Sequence, residues 1–172
     1  MKRRSLFVFI LLSWTFASYA QVEKGDSEIR FLGYLNRVSG DEYSSTSGSV
    51  QISYGYFITP KLQIGAGPQL TFSDGLDDGM DVQFSASVFF NYSISVGSKT
   101  VPYITGQWYQ SDFSPPENGE FTDNSFITFG FGVRNFFTEY AALNTAIFYG
   151  KSLNSDMDGG LLMIMSGISI IF

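Results

Sequence analysis

Asp81-Val82-Gln83-Phe84-Ser85-Ala86-Ser87-Val88-Phe89-Phe90-Asn91-Tyr92-Ser93 decides how this chain folds. Val82, Phe84, Ala86, Val88, Phe90 and Tyr92 fall on every second residue, and Gln83, Ser85, Ser87 and Asn91 fall between them. Successive side chains of a strand point to opposite faces, so a period of two marks a strand with one apolar and one polar face. A helix would need apolar positions three and four residues apart, and no stretch beyond the first 20 residues shows that spacing.

The same alternation spreads to both sides of this segment. In Gly48–Ile58, Val50, Ile52, Tyr54 and Tyr56 oppose Gln51, Ser53 and Gly55. In Leu62–Ser73, Leu62, Ile64, Ala66, Leu70 and Phe72 oppose Gln63, Gly65, Gly67, Gln69 and Thr71. In Ser125–Phe136, Ile127, Phe129, Phe131 and Val133 oppose Thr128, Gly130, Gly132 and Arg134. Glu28–Val38, Thr100–Ser111, Ala141–Lys151 and Leu161–Phe172 complete a set of eight expected strands.

The connections alternate in length. Ser39–Ser47, Asp74–Met80, Asp112–Asn124 and Ser152–Gly160 are long and polar, whereas Thr59-Pro60-Lys61, Ile94–Lys99 and Phe137–Tyr140 are short. Long loops at one end and tight turns at the other are the plan of an up-and-down transmembrane β-barrel. Strands of this length suit a tilted membrane span of about 9–11 residues. Closure is required there, because lipid offers no hydrogen-bond partner to a sheet edge.

A soluble lipocalin-like barrel also has eight strands, with the apolar rows inside. The polar rows here carry Gln51, Gln63, Gln69, Gln83, Ser85, Ser87 and several glycines, with few charges. A water-facing surface is normally rich in Lys and Glu. The polar rows are therefore expected to fill a lumen while the apolar rows face lipid. Eight strands leave an interior just wide enough for side chains, so no open pore is expected.

Composition narrows the chemistry. The chain of 172 residues has no Cys and no His, which removes disulfides, thiolate sites, the commonest general base and the commonest transition-metal ligand. Lys2, Arg3 and Arg4 precede an apolar run from Leu6 to about Ala17, and Ser18-Tyr19-Ala20 ends it with small residues at the −3 and −1 positions. That pattern is a secretory signal peptide over residues 1–20, leaving 21–172 as the barrel domain. Removing three of the 10 basic residues leaves seven against 16 acidic, a mature charge of about −9 that disfavours nucleic acid.

Aromatic residues gather at the expected strand ends. Tyr54, Tyr56, Phe90, Tyr92, Phe136, Phe137 and Tyr140 lie beside the tight turns, and Phe72, Trp108 and Tyr149 towards the long loops. These are candidates for the girdles at two membrane–water interfaces. Glu28, Arg30 and Arg134 can point inward near the tight-turn end, as an ion relay or, as we expect, a salt-bridge network that fills the lumen. The long loops are acidic, and Asn154-x-Asp156-x-Asp158-Gly159 opens like a calcium loop. Met165 stands where the closing Glu belongs, so no metal site and no cofactor are expected.

The chain ends Gly167-Ile168-Ser169-Ile170-Ile171-Phe172. A last strand with Gly167, Ile170 and a terminal Phe172 resembles the sorting signal read by the outer-membrane insertion machinery. With the eight strands, and with Gly55-Tyr56-Phe57-Ile58-Thr59-Pro60-Lys61-Leu62 and Gly130-Phe131-Gly132-Val133-Arg134-Asn135-Phe136-Phe137, the mature chain resembles the small outer-membrane barrels of the OmpA-domain and OmpX type. The resemblance implies the outer membrane of a Gram-negative bacterium, with both mature termini periplasmic. Its implied partners are outer-membrane lipid, lipopolysaccharide and the insertion machinery. Outer-membrane barrel enzymes of known families use a catalytic His, which is absent here, so a non-enzymatic role in envelope integrity or surface contact is expected. A narrow conduit or binding site for small hydrophobic or ionic solutes, as in OmpW-like barrels, is the alternative. A soluble ligand-binding barrel comes third.

Overall fold

The computed structural model describes residues 22–39, 44–74, 79–111, 125–153 and 160–172. The expected signal peptide, most of the acidic loop residues and the calcium-like motif lie outside the described residues. Among the described residues there are eight strands: β1 (Ser27–Ser39), β2 (Ser44–Phe57), β3 (Leu62–Asp74), β4 (Met80–Ser93), β5 (Thr100–Ser111), β6 (Ser125–Phe136), β7 (Ala141–Ser152) and β8 (Gly160–Ile171). Each pairs antiparallel with its neighbour in sequence, and β1 also pairs with β8, so the sheet is a closed barrel. β2 starts at Ser44 rather than Gly48 because the β1–β2 hairpin continues through the pair Ser39 and Ser44.

Two of the tight turns use the same device. Thr59 Oγ1 accepts from the Lys61 and Leu62 amides (3.2 and 2.9 Å), and Thr138 Oγ1 accepts from those of Tyr140 and Ala141 (3.2 and 2.9 Å). A hydroxyl that bonds the backbone two and three residues on mimics a backbone turn and fixes the reversal. Both ends of the described chain meet at this end of the barrel, where Ser27 and Phe172 exchange backbone hydrogen bonds of 2.8 and 2.9 Å.

The two rows of each strand face as expected for a barrel in lipid. Val50, Ile52, Val82, Phe84, Val88, Ile104, Phe131, Ile147 and Ile168 stand exposed on the outer wall, while Gln51, Gln63, Ser85, Ser87 and Asn91 are buried inside. A water-soluble barrel would reverse this arrangement.

The interior is less uniformly polar than the alternation implies. Phe57, Val101, Phe136, Ala142 and Ile171 pack into an apolar plug at the tight-turn end, with Val22 against it. A second apolar cluster, Leu32, Tyr103, Ala146, Phe148, Met163 and Met165, lies nearer the long loops. Four of its six members come from β7 and β8, whose inward rows also carry apolar side chains. Phe136 is thus no girdle residue. It lies on the same row as Arg134, two residues away, and the row that buries Arg134 buries Phe136 with it. Glycines make room for the inward rings: a Cβ at Gly65 would overlap the Phe89 ring, and one at Gly132 the Tyr103 ring.

Candidate functional site in the lumen

Directly above the plug, inward positions of six strands converge. β1 contributes Glu28 and Arg30, β3 Gln63, β4 Asn91, β6 Arg134, β7 Asn144 and β8 Ser169, all nearly without solvent exposure. Arg134 Nη2 donates to Glu28 Oε2 at 3.0 Å, and Gln63 Nε2 donates to the same oxygen at 2.6 Å. Arg134 Nε donates to Asn144 Oδ1 at 3.4 Å, and Asn144 Nδ2 donates to Ser169 Oγ at 2.8 Å. The carboxylate is therefore held by charged and neutral donors at once, which is what a buried charge requires.

Of the three residues singled out from sequence, Glu28 and Arg134 form a direct ion pair, whereas Arg30 takes other partners. Arg30 Nε donates to Ser53 Oγ at 3.3 Å, and its guanidinium stacks 4.3 Å from the centroid of Phe89. The Asn91 amide stands between the two groups. One terminal atom lies 2.7 Å from Gln63 Oε1 and 3.0 Å from Arg30 Nη1, so it can satisfy only one of them. The alternation of β3 and β4 puts Gln63 and Asn91 on the inward rows; Phe89, an aromatic two residues before Asn91, shares the row of Asn91, and neither it nor Asn144 is marked by charge.

Towards the long loops the lumen divides lengthwise. Gln51 Nε2 donates to Ser87 Oγ at 2.8 Å and Ser87 Oγ to the Gly67 carbonyl at 3.2 Å, so the β2–β4 side is polar, opposite the methionines of β8. Between the sides lies a cavity of about 150 Å³, lined by residues including Tyr34, Gln69, Thr128 and Met163.

Outside, Tyr54, Tyr56, Phe90, Tyr92, Phe137 and Tyr140 are exposed near the tight turns, and Tyr149 is exposed towards the long loops. Trp108 and Phe72 are half-buried on the outer wall. Tyr54 OH and Ser27 Oγ share a hydrogen bond of 2.7 Å. Ile170 and Phe172 point outward from the end of β8, and Gly167 sits against the Phe31 carbonyl, where a Cβ would overlap backbone.

Neither a protein-family model nor a curated protein sequence matches the chain. Two solved structures from Pseudomonas aeruginosa are similar to it. The N-terminal β-barrel domain of OprF shares 17% identity at a TM-score of 0.52, over 87% of this chain and 98% of that one. The outer membrane protein OprG shares 13% identity at a TM-score of 0.51, over 90% of this chain and 99% of that one. The fold is that of the small eight-stranded outer-membrane β-barrels.

Proposed function

We propose that this chain is a non-enzymatic integral outer-membrane protein whose barrel is a rigid anchor for its long acidic loops. In this reading the loops face outward, with both mature termini in the periplasm. Loop carboxylates bridge to lipopolysaccharide phosphates through divalent cations, and envelope integrity or contact with a surface partner is the outcome. The likeness to OprG, an outer membrane protein by name, and to the β-barrel domain of OprF supports the membrane assignment.

The observation that carries the anchor role is the sealed lower lumen. Phe57, Val101, Phe136, Ala142 and Ile171 fill the tight-turn end, and the Glu28–Arg134 layer lies directly on them. A continuous aqueous path would have to break both. The test is planar-bilayer conductance of the refolded mature chain, with liposome swelling for uncharged solutes. We expect a silent bilayer and no swelling; discrete, solute-dependent channels would replace the anchor with a conduit. Protease treatment of intact cells checks orientation, because only outward-facing loops are then cut.

A further inference from the structure

The barrel is not closed along its whole height. β1 and β8 pair from Glu28 with Ile171 up to Gly33 with Ser166, and there their ladder ends. Neither strand stops. β1 remains paired with β2 as far as Ser39, and β8 remains paired with β7 as far as Gly160. Below the fork the two strands are pressed together at Gly167 and Phe31; above it they no longer share hydrogen bonds. Leu35 and Leu162, one on each side of the fork, are the two most exposed large apolar side chains among the described residues, at 72% and 68%.

The fork opens within the apolar wall. Leu162 pairs directly with the outward-facing Tyr149, so Met163 to Met165 lie on the membrane side of that aromatic. Unpaired strand edges at such a depth are costly in lipid unless something comes between them. The fork borders the 150 Å³ cavity, which spans the long-loop end of the lumen from β1 and β8 across to β3 and β4, and Tyr34, Leu161 and Met163 belong to both. A cavity of this size takes a molecule of roughly benzene to indole dimensions. None of its lining residues is charged. Met163, Leu161 and Phe126 give it an apolar wall, and across from them Gln69 Oε1 is buried without a hydrogen-bond donor.

We propose that the β1–β8 fork above Gly33 and Ser166 is a lateral portal from the bilayer into this cavity. Its ligand is a small neutral amphiphile: an aromatic or short aliphatic body carrying one hydrogen-bond donor. The body lies against Met163 and the donor meets Gln69 Oε1. Charged molecules gain no partner there, and the plug below stops onward passage, so the site binds without conducting.

Indole is the probe, added to the full mature chain in lipid nanodiscs with ¹³C-methyl methionine. The Met163 methyl resonance is expected to shift saturably while that of the outward-facing Met80 stays put. Equal, non-saturating shifts of both would show mere partitioning into lipid and overturn the site. Gln69→Leu is expected to weaken binding about tenfold, the worth of one hydrogen bond, in a barrel that still shows heat-dependent migration on SDS gels. Unchanged affinity removes the assigned donor contact. Ser85→Leu, which fills the cavity instead, should abolish the Met163 shift, and a persisting shift counts against the cavity. Leu35→Cys with Ile164→Cys, facing positions if the register were continued, tests the portal in a chain that has no other cysteine. Joined by oxidation or by a short bismaleimide, the pair should slow indole binding at least tenfold, with reduction restoring the oxidised form. Binding as fast as in the unmodified chain would mean access through the loops and would overturn the portal.

Discussion

Replacing Glu28 with Leu gives the sharpest test of the lumen. Glu28 Oε2 receives Arg134 Nη2 at 3.0 Å and Gln63 Nε2 at 2.6 Å, and Glu28 and Arg134 are each only 1% exposed. Hydrogen bonds to a charged group contribute about 1.5–3 kcal/mol each. The substitution removes both and leaves Arg134 buried with no carboxylate, so a loss of about 3–5 kcal/mol is expected. Arg134→Met should cost a similar amount, because it strands the carboxylate instead. The double variant removes the whole pair and replaces it with apolar volume, a change that is often close to neutral. It should therefore lose at least ~2 kcal/mol less than the two single losses combined. The assay is reversible urea or guanidinium unfolding in lipid vesicles, followed by Trp108 fluorescence, with migration on unheated SDS gels to confirm closure. Single losses below ~1 kcal/mol that simply add would refute the claim that this pair is a buried, mutually dependent unit.

Two further outcomes test the packing and the inside-out wall. Gly132→Ala places a methyl in the fully buried Tyr103 ring and should destabilise by about 1–3 kcal/mol in the same unfolding assay; an unchanged midpoint would mean that the ring is loosely held. Ile147→Arg puts a charge on the outer wall between Tyr140 and Tyr149 and should cost about 2–4 kcal/mol in vesicles, whereas on a water-facing surface it would be neutral. A neutral result there would favour the soluble barrel.

How much of this could be read from sequence depends on whether a strand's two rows differ. In β4, Gln83, Ser85, Ser87 and Asn91 contrast with Val82, Phe84 and Val88, and both facing and extent follow from the alternation. In β8, Leu162, Ile164 and Ile168 alternate with Met163, Met165 and Ile171, so a period of two cannot tell lipid side from lumen side, and the second interior cluster stayed hidden. Phe136 shows a different lapse. Arg134 is an inward residue, and counting two residues along the same strand puts Phe136 inside too, whereas its place beside Phe137 at a strand end has the appearance of a girdle. Glu28 and Arg134 were legible as inward residues near one end, but 106 positions separate them, and only barrel closure through β8 and β1 makes them partners. The fork between β1 and β8 leaves no sequence trace, since it comes from where two otherwise regular strands stop sharing a ladder.

Phe89 explains how the lumen tolerates more positive than negative charge. Glu28 neutralises one guanidinium and the layer holds two. Arg30 lies 4.3 Å from the Phe89 centroid, and Arg134 lies 5.5 and 5.6 Å from those of Phe57 and Tyr103. A ring face is the negative end of the aromatic quadrupole, and away from water such a contact contributes about 2 kcal/mol. An aromatic in the polar row of β4 is therefore a counter-charge for the arginine that has no carboxylate of its own. It fits there because Gly65, directly across on β3, leaves the space its ring occupies. The glycines of the inner rows and the excess of arginine over glutamate thus belong to one solution, in which bare backbone admits rings and the rings hold the cation that the single carboxylate leaves over.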